Sequence, residues 1–339
     1  MTLVSAALSD LRLHVITGKG GVGKTTVASA LALALAQAGK RVLLVEVEGR
    51  QGISQTFDVP PLGVEERLLV NSGEGELWGL AVDAKAALLE YLQIFYKLGR
   101  AGSALEKVGA IDFATTIAPG VRDVLLIGKV YEAVGRTDGP RRGQGARVWD
   151  AVVLDAPPTG RVGRFLGVNA EVAGIARMGP IKNQADSITR LLQSANTAVH
   201  LVSLLEEMPV QETIDAVSEL RSARFGLGLC VVNLVRDPLL DEAAVELMHS
   251  ATGLEASIKG DLERVGVRAT GPMVRGLLTQ GRDHADRVLL QDEMASELAE
   301  TGLPLIPLPA LVDGVEEGGI QVLAEILAEI LDTPIASAP

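Results

Sequence analysis

Seven short apolar runs recur along the chain and alternate with segments typical of helices. Strands that alternate with helices build a parallel sheet, so this pattern predicts an α/β fold. We expect a mostly parallel sheet with helices on both faces. The predicted strands lie at residues 12–17, 42–47, 77–82, 148–154, 198–205, 227–235 and 303–308.

Three helices are predicted between and after these strands. The first, at 25–37, is rich in Ala and Leu and stops at Gly39. The second, at 210–222, follows Pro209, which suits the first turn of a helix. A third, at 322–331, closes the fold.

Two mainly helical stretches, at 85–131 and 167–194, interrupt the alternation on either side of the strand at 148–154. They predict a helical subdomain above the sheet, although long crossover connections would give the same pattern. We therefore expect one domain over residues 1–339 that carries this insert. Between the two stretches lies a predicted surface loop with four arginines; a site for an anionic partner is the alternative. The four are Arg136, Arg141, Arg142 and Arg147.

Composition narrows the class of protein. Hydrophobic residues make up 47% of the 339 residues, enough for a large core, and aromatic residues only 3%. The net charge of −12 disfavours nucleic acid as a partner, because binding to a phosphate backbone needs a cationic face. Charges interrupt every long apolar run, so no membrane span is predicted. The amino terminus lacks the basic region of a signal peptide.

The chain has one cysteine, Cys230, inside an apolar run. Its expected role is that of a small buried hydrophobic residue. A single thiol cannot form an intrachain disulfide, and nothing in the composition points outside the cytosol, so a cytoplasmic protein is expected.

The strand at 12–17 runs into the segment GKGGVGKTT at residues 18–26, which then opens the first helix. Strand, glycine-rich loop and helix in this order are the context of a P-loop for MgATP. Lys24 would place a cation at the β and γ phosphates, and the Thr25 hydroxyl would bind Mg²⁺. Backbone N–H groups would hold the phosphates, so the predicted nucleotide contacts are Gly18, Gly20, Gly21, Val22, Gly23, Lys24, Thr25 and Thr26.

A second lysine, Lys19, stands near the start of the loop, where an ordinary P-loop needs none. This feature resembles the signature of the deviant Walker group of ATPases. The resemblance implies that Lys19 reaches the nucleotide of the opposing subunit in an ATP-dependent dimer. Its role there would be that of an arginine finger, a cation brought to the charge that develops on the transferred phosphate.

The strand at 148–154 ends at Asp155 and is followed by Pro157, Pro158, Thr159 and Gly160. An apolar strand that ends in aspartate is the Walker B arrangement, so Asp155 is expected to bind Mg²⁺ through a water molecule. The turn after it is placed to sense the γ-phosphate.

The strand at 42–47 leads to two acidic residues, Glu46 and Glu48. We expect them to share a strand face and place Glu48 near the γ-phosphate, where it would orient or deprotonate the attacking water. Either of the two carboxylates could be the one that acts on this water. The candidate catalytic residues are Lys19, Lys24, Glu48 and Asp155.

Further segments resemble one family, the arsenite-pump and tail-anchored-protein-targeting ATPases (ArsA/Get). These segments are APGVRD at 118–123, DAPPTGRVGRFL at 155–166, LEEMPVQET at 205–213, VVN at 231–233 and LIPLPAL at 305–311. The resemblance implies a magnesium-dependent ATPase in which Asn233 and the segment Pro307, Leu308 and Pro309 contact the adenine. Within the family the chain looks like an actinobacterial subgroup, which implies a homodimer or a heterodimer with a paralogous ATPase.

The chain departs from the family pattern at three places. Glu48 stands where switch I usually has Asp, and Arg161 where switch II usually has His. Cys230 is alone, so the paired cysteines that hold zinc and the cysteine set that binds arsenite are absent. An arsenite-pump role is therefore disfavoured.

Two functions remain open at this stage. The first is a dimeric ATPase that couples its nucleotide state to a protein client or membrane partner. The second is a regulatory or scaffold subunit that binds ATP and hydrolyses it poorly, as Glu48 and Arg161 suggest. A positioning ATPase on membranes is disfavoured because residues 316–339 contain no Lys or Arg, and one on DNA because of the acidic net charge. Candidate client contacts, more often core residues, are Leu88, Leu89, Leu92, Ile94, Met178, Leu191, Leu192 and Met208.

Overall fold

The computed structural model describes residues 6–84, 86–87, 119–139, 143–167, 180–312, 314–315 and 318–335. A mixed, mostly parallel sheet of eight strands forms its centre. In chain order the strands are β2 (Leu13–Gly18), β3 (Arg41–Glu46), β4 (Arg67–Asn71), β5 (Glu76–Ala81), β6 (Ala151–Asp155), β7 (Thr197–Ser203), β8 (Leu227–Val235) and β9 (Leu305–Pro309).

The spatial order of the strands is β4-β5-β3-β6-β2-β7-β8-β9. Only β4 runs antiparallel to its neighbour within this sheet. A separate two-stranded antiparallel pair joins the two ends of the described chain, β1 (Ala6–Ala7) and β10 (Pro334–Ile335). The carboxyl ends of the parallel strands therefore lie along one edge of the sheet, where loops from several strands meet.

Helices cover both faces of the sheet. They are α1 (Lys24–Gln37), α2 (Gly52–Thr56), α3 (Pro119–Val134), α4 (Thr159–Leu166), α5 (Pro180–Leu192), α6 (Glu207–Ser222), α7 (Glu242–Ser250), α8 (Glu255–Arg264), α9 (Gly271–Ala299) and α10 (Gly319–Ala328). One buried cluster lies between the sheet and helices α1 and α10. The other lies between the opposite face and helices α3 to α6. The α/β fold expected from the apolar pattern is confirmed.

All seven predicted strands and three predicted helices are present, with ends shifted by a few residues. Among the strands the largest shift is in β6, which begins at Ala151 rather than at 148. Just before β6, the Asp150 N–H donates to the Arg41 carbonyl, and the Asp150 carboxylate accepts the N–H of Arg41 at the start of β3. Helix α1 is buried on almost all sides, which its Ala-rich sequence permits.

The sequence pattern missed the region between β8 and β9. It contains α7, α8 and the 29-residue α9. Helix α8 has no buried residue and α9 buries only five, so neither shows the broad apolar stripe by which helices are recognised. The edge strand β4 was missed for a similar reason, since every residue in it is exposed or half-buried.

Most of the two predicted helical inserts lies outside the described residues, so the subdomain stays a prediction. The described ends are α3 and α5, which pack on the sheet. The arginine-rich loop is partly described: Thr137 and Arg147 pair as a β-bridge, and Arg136 bonds to Glu132 and Glu66. Arg141 and Arg142 lie outside the described residues.

A buried polar pair crosses the middle of the sheet. His14 on β2 and His200 on β7 are both less than 2% exposed, and their rings are bonded through Nδ1 and Nε2 at 3.2 Å. The Leu229 N–H donates to His200 Nδ1, which makes His200 Nε2 the proton donor to His14. Burial lowers the pKa of both rings, that of His200 to about 3. Both histidines are therefore neutral at physiological pH.

The amino-terminal end of the sheet is held by two arginines. Arg12 is 8% exposed, and its guanidinium donates to the carbonyls of Val134, Trp149 and Asp150. Arg41 lies over the rings of Trp78 and Trp149, 5.4 and 5.1 Å from their centroids. These contacts join the starts of β2, β3, β5 and β6, and they include both tryptophans of the chain.

Candidate nucleotide site

The glycine-rich loop leaves β2 at the carboxyl edge of the sheet and ends at the first residue of α1. A Cβ on Gly18 would meet the Val202 carbonyl oxygen at 2.2 Å, so only glycine lets the loop leave this close to β7. Gly23 has a φ of 90°, and a Cβ there would meet the Asn233 amide nitrogen at 2.2 Å. Gly20, Gly21 and Val22 form the turn between them.

The start of α1 is arranged to receive an anion. Its N-cap residue, Gly23, has no side-chain acceptor, and the first turn contains no acidic residue. The free N–H groups of that turn and the helix dipole therefore favour a phosphate group. Thr26 lies half-buried in the same turn.

Lys24 is 8% exposed, and its Nζ donates to the Lys19 carbonyl at 3.1 Å. Burial lowers the pKa of Lys24, while the nearby carboxylates of Asp155, Glu48 and Glu212 act in the opposite direction. These carboxylates favour the charged form of the buried ammonium, and a bound phosphate would supply negative charge to the same group.

Thr25 and Asp155 meet below the loop. The Thr25 hydroxyl donates to Asp155 Oδ2 at 2.6 Å, while Asp155 Oδ1 is buried and has no hydrogen-bond partner among the described residues. Burial raises the pKa of Asp155 to about 6, against the hydrogen bond from Thr25 and the charge of Lys24. A hydroxyl and an unsatisfied carboxylate oxygen are ligands that suit Mg²⁺, so these residues fit the ion.

The two candidate bases after β3 have different surroundings. The strand ends at Glu46, so the expectation that Glu46 and Glu48 share a strand face is wrong. Glu46 is buried, and its oxygens accept the N–H groups of Gln51 and Ile53, which turns the chain into α2. Glu46 is therefore a structural carboxylate.

Glu48 lies beyond the strand, with a side chain that is 17% exposed. One oxygen pairs with Arg161 of α4 at 3.3 Å and the other with Arg50 at 3.4 Å. The two positions that depart from the family pattern, Glu48 and Arg161, are thus partners of each other. Sequence reasoning named both but not their contact.

The predicted adenine contacts lie at the far side of the loop. Asn233 is 4% exposed, and its amide nitrogen donates to the Val22 carbonyl at 2.9 Å. It thus supports the P-loop from below. A register shift in the β8–β9 pairing and a φ of 57° at Leu234 accompany this placement. In the edge strand β9, Pro307 and Pro309 are exposed, whereas the Leu308 side chain belongs to the core.

Sequence reasoning missed one central residue. Glu212, on the second turn of α6, forms an ion pair with Lys19 at 3.0 Å and accepts a hydrogen bond from Thr159 at 3.1 Å. The available signal was its position in the segment at 205–213, which resembles the family, but nothing in the sequence pairs it with the P-loop. In the structure it joins two predicted elements of the site.

Other kinds of site find less support. No helix within the described part of the chain is long and apolar enough to cross a membrane. Nor do the described residues contain a group of three or more His, Cys, Asp or Glu that could hold a metal ion. Cys230 is buried, as expected, and burial raises the pKa of its thiol to about 12, so it is not a reactive thiolate.

Comparisons with known proteins agree with this geometry. A family model described as anion-transporting ATPase matches residues 11–194. ATPase BagA of Mycobacterium tuberculosis is 46% identical over 325 residues, which cover 95% of this chain and 94% of BagA. Protein Rv2184c of the same organism is 33% identical over 84% of this chain and 63% of its own length. ATPase ARSA1 of Chlamydomonas reinhardtii is 27% identical over 60% of this chain and 29% of its own length.

Proposed function

The chain belongs to the anion-transporting ATPase (ArsA) family and is an ATPase, and from that premise we propose that it hydrolyses MgATP at the P-loop as a nucleotide-dependent dimer. The observation that carries the proposal is the contact of Thr25 with Asp155 beneath an uncapped helix start. This contact supports the proposal because it joins the proposed phosphate loop to the proposed magnesium ligands.

Each residue has a separate part in the proposed reaction. The N–H groups of residues 20–26 and the ammonium of Lys24 bind the phosphates. Thr25 directly, and Asp155 through water, would hold Mg²⁺, which neutralises charge on the β and γ phosphates. Glu48 is the group placed to orient the attacking water, once its arginine partners release it.

Lys19 is the residue for which we propose a role across the dimer interface. Its side chain is 28% exposed at the rim of the loop, so it can leave its own subunit without disturbing the core. Asn233 and the exposed Pro307 and Pro309 form the proposed adenine side.

Two lysine variants test this assignment. We expect Lys24→Ala to abolish ATP binding, because it removes the buried cation of the phosphate site. Lys19→Ala should keep binding but lose ATP-dependent turnover or dimer formation. Calorimetry measures the binding, phosphate release the turnover, and sedimentation the dimer. Equal loss of binding in both variants would count against the role in trans.

A second candidate is a subunit that hydrolyses ATP slowly unless a paralogous ATPase joins it. The observation in its favour is that both oxygens of Glu48 are bound by arginines. Arg161→His, which restores the residue usual in the family, should raise the turnover of the isolated chain if this pairing restrains Glu48. A wild-type turnover already equal to that of active relatives would remove this candidate.

A protein client or membrane partner remains part of the proposal. Of the leucines offered as client contacts, Leu192 is buried and Leu191 packs against the core. Met208 is 61% exposed on α6, and the other candidates lie outside the described residues. A pull-down with Asp155→Asn, which we expect to bind ATP without hydrolysing it, compared with Lys24→Ala would identify proteins that associate only with the nucleotide-bound state.

A further inference from the structure

Glu212 joins two parts of the proposed nucleotide site, one in the P-loop and one at the start of α4. Its Oε1 pairs with Lys19 Nζ at 3.0 Å, and its Oε2 accepts the Thr159 hydroxyl at 3.1 Å. Lys19 belongs to the P-loop, and Thr159 is the first residue of α4, directly after the Walker B strand. One carboxylate therefore contacts both the loop that holds phosphate and the turn that senses it.

Glu212 is carried by a rigid element. Helix α6 buries Val210, Thr213, Ala216, Val217 and Leu220 against the sheet, which leaves Glu212 at the rim of this face. The helix also lies close to α4, since a Cβ on Gly163 would meet the Glu219 carboxylate. The helix that carries Glu212 is thus fixed by its packing, whereas the Lys19 side chain is 28% exposed.

The two lysines of the P-loop have different partners in the structure. Lys24 Nζ is bonded to the Lys19 carbonyl, while the Lys19 side chain turns to Glu212. Lys19 cannot bind a phosphate oxygen, in its own subunit or another, until it leaves this carboxylate or carries it along. A phosphate offers more negative charge than one carboxylate and can compete for the ammonium.

We propose that Glu212 is a positioning residue of the ATPase cycle. It holds Lys19 within its own subunit when no nucleotide is bound, and its bond to Thr159 ties the release of Lys19 to movement of the turn after β6. The proposal rests on the proposed function only in that Lys19 acts on a bound phosphate. The ion pair is partly exposed, with side chains 28% and 35% accessible, so it restrains Lys19 without locking it.

The restraint is tested first without nucleotide. The protein is treated with an amine-reactive reagent. Mass spectrometry then gives the rate at which Lys19 is labelled, relative to the labelling rate of the half-buried Lys40 in the same protein. Glu212→Gln removes the charge but keeps an acceptor for Thr159, so Lys19 should react about two- to fivefold faster, the range of a partly exposed ion pair. Glu207→Gln, an exposed change on the same helix, is the matched control and should leave the rate unchanged. An unchanged rate in Glu212→Gln would overturn the proposal.

The release is tested by a double-mutant cycle on nucleotide binding. Glu212→Gln should tighten the apparent affinity for ATP by about two- to fivefold. In a Lys19→Ala background the same change should have no effect, because the partner is gone. An equal shift in both backgrounds would show a general structural effect and contradict the proposal.

The double-mutant cycle also distinguishes the proposed role of Glu212 from the proposed action of Lys19 across the dimer interface. If Lys19 acts within its own subunit, the coupling appears in the ATP affinity at every protein concentration. If it acts across the interface, the coupling appears only at concentrations that give the dimer. Coupling in a chain that stays monomeric with ATP would contradict the proposed dimer and support the role of Glu212. An ATP-dependent dimer without coupling would support the dimer and contradict the role of Glu212.

Discussion

At the amino-terminal end of the sheet, the buried guanidinium of Arg12 is bonded to three backbone carbonyls, and nothing there needs to exchange partners. At the carboxyl-terminal end, charged side chains on loops pair with other charged side chains: Lys19 with Glu212, and Glu48 with Arg50 and Arg161. Both ends join the same strands, yet Arg12 is bonded to the backbone, whereas the pairs at the second end join charged side chains that a phosphate can replace.

The reason lies in the partners. A backbone carbonyl cannot move without unfolding the strand or helix that carries it, so bonds to carbonyls stabilise the fold. A partly exposed pair of charged side chains is hydrated and contributes little to stability. It can therefore be exchanged for a ligand at small cost. Four experiments can break or sharpen this contrast between stability and function.

The largest effect is expected from Asp155→Asn at the functional end. Loss of the carboxylate should lower the turnover of ATP by about 100-fold or more, the scale seen when charge stabilisation of the transition state is lost. The nucleotide-free protein should be as stable as wild type or more stable, because burial disfavours the ionised Asp155 and raises its pKa to about 6. Phosphate release and urea unfolding at pH 7.5 measure the two effects. A clear loss of stability would break the contrast.

Arg12→Met should have the opposite profile at the amino-terminal end. The methionine fills the space of the arginine stem but leaves three carbonyls without their donor, so unfolding should become easier by about 3 kcal/mol. ATP affinity should stay within twofold of wild type. The matched control is Arg67→Met, since Arg67 is exposed and donates to one carbonyl, that of Pro60. Similar losses in the two variants would mean that burial of the bonds does not matter.

Low pH should destabilise the folded protein through His14 and His200, which lie in the middle of the sheet between the two ends. Both pKa values are lowered in the folded chain, whereas in the unfolded chain they are near 6.5, so the unfolded state binds more protons below that pH. Stability should therefore fall as the pH drops below about 6.5, with a loss of about 2.5 kcal/mol between pH 7 and 5.5 from the two histidines.

The matched control for this acid effect is His14→Gln, which removes one of the two titrating rings. Its loss of stability over the same pH range should be about half that of wild type. Urea unfolding followed by circular dichroism at each pH gives both values. The same loss in the variant and the wild type would assign the acid effect to other groups.

The smallest effect is expected from Arg41→Lys. The change keeps the charge and the pairing with Glu76, but a lysine does not stack on Trp78 and Trp149 as a planar guanidinium does. We expect a loss of stability of about 1 kcal/mol or less and a changed tryptophan emission. Nucleotide should leave this emission unchanged, because both tryptophans lie at the amino-terminal end. A fluorescence response to ATP would show that the two ends are coupled.

The candidate site was predictable where its residues are neighbours in sequence. The order of strand, loop and helix around residues 18–26 assigns the phosphate loop, and the apolar strand before Asp155 assigns the second element of the site. The structure brings Thr25 and Asp155 into contact, which follows from the parallel pairing of β2 with β6.

The elements that were missed have no periodic apolar face. Helix α8 has no fully buried residue, and the side chains of β4 at the edge of the sheet are at most half-buried. Their formation depends on neighbours, α9 for the first and β5 for the second, rather than on a pattern of their own.

The amino-acid sequence alone determined the α/β order, the P-loop, the Walker B aspartate and the family, because each depends on residues close together in the chain. The tertiary structure alone decided which charged groups meet across that order. It made Glu46 a structural carboxylate, paired Glu48 with Arg161 over 113 positions, and placed Glu212 on Lys19. Such pairings arise where the carboxyl ends of parallel strands meet at one edge, and the spacing of residues along a chain does not encode those distances.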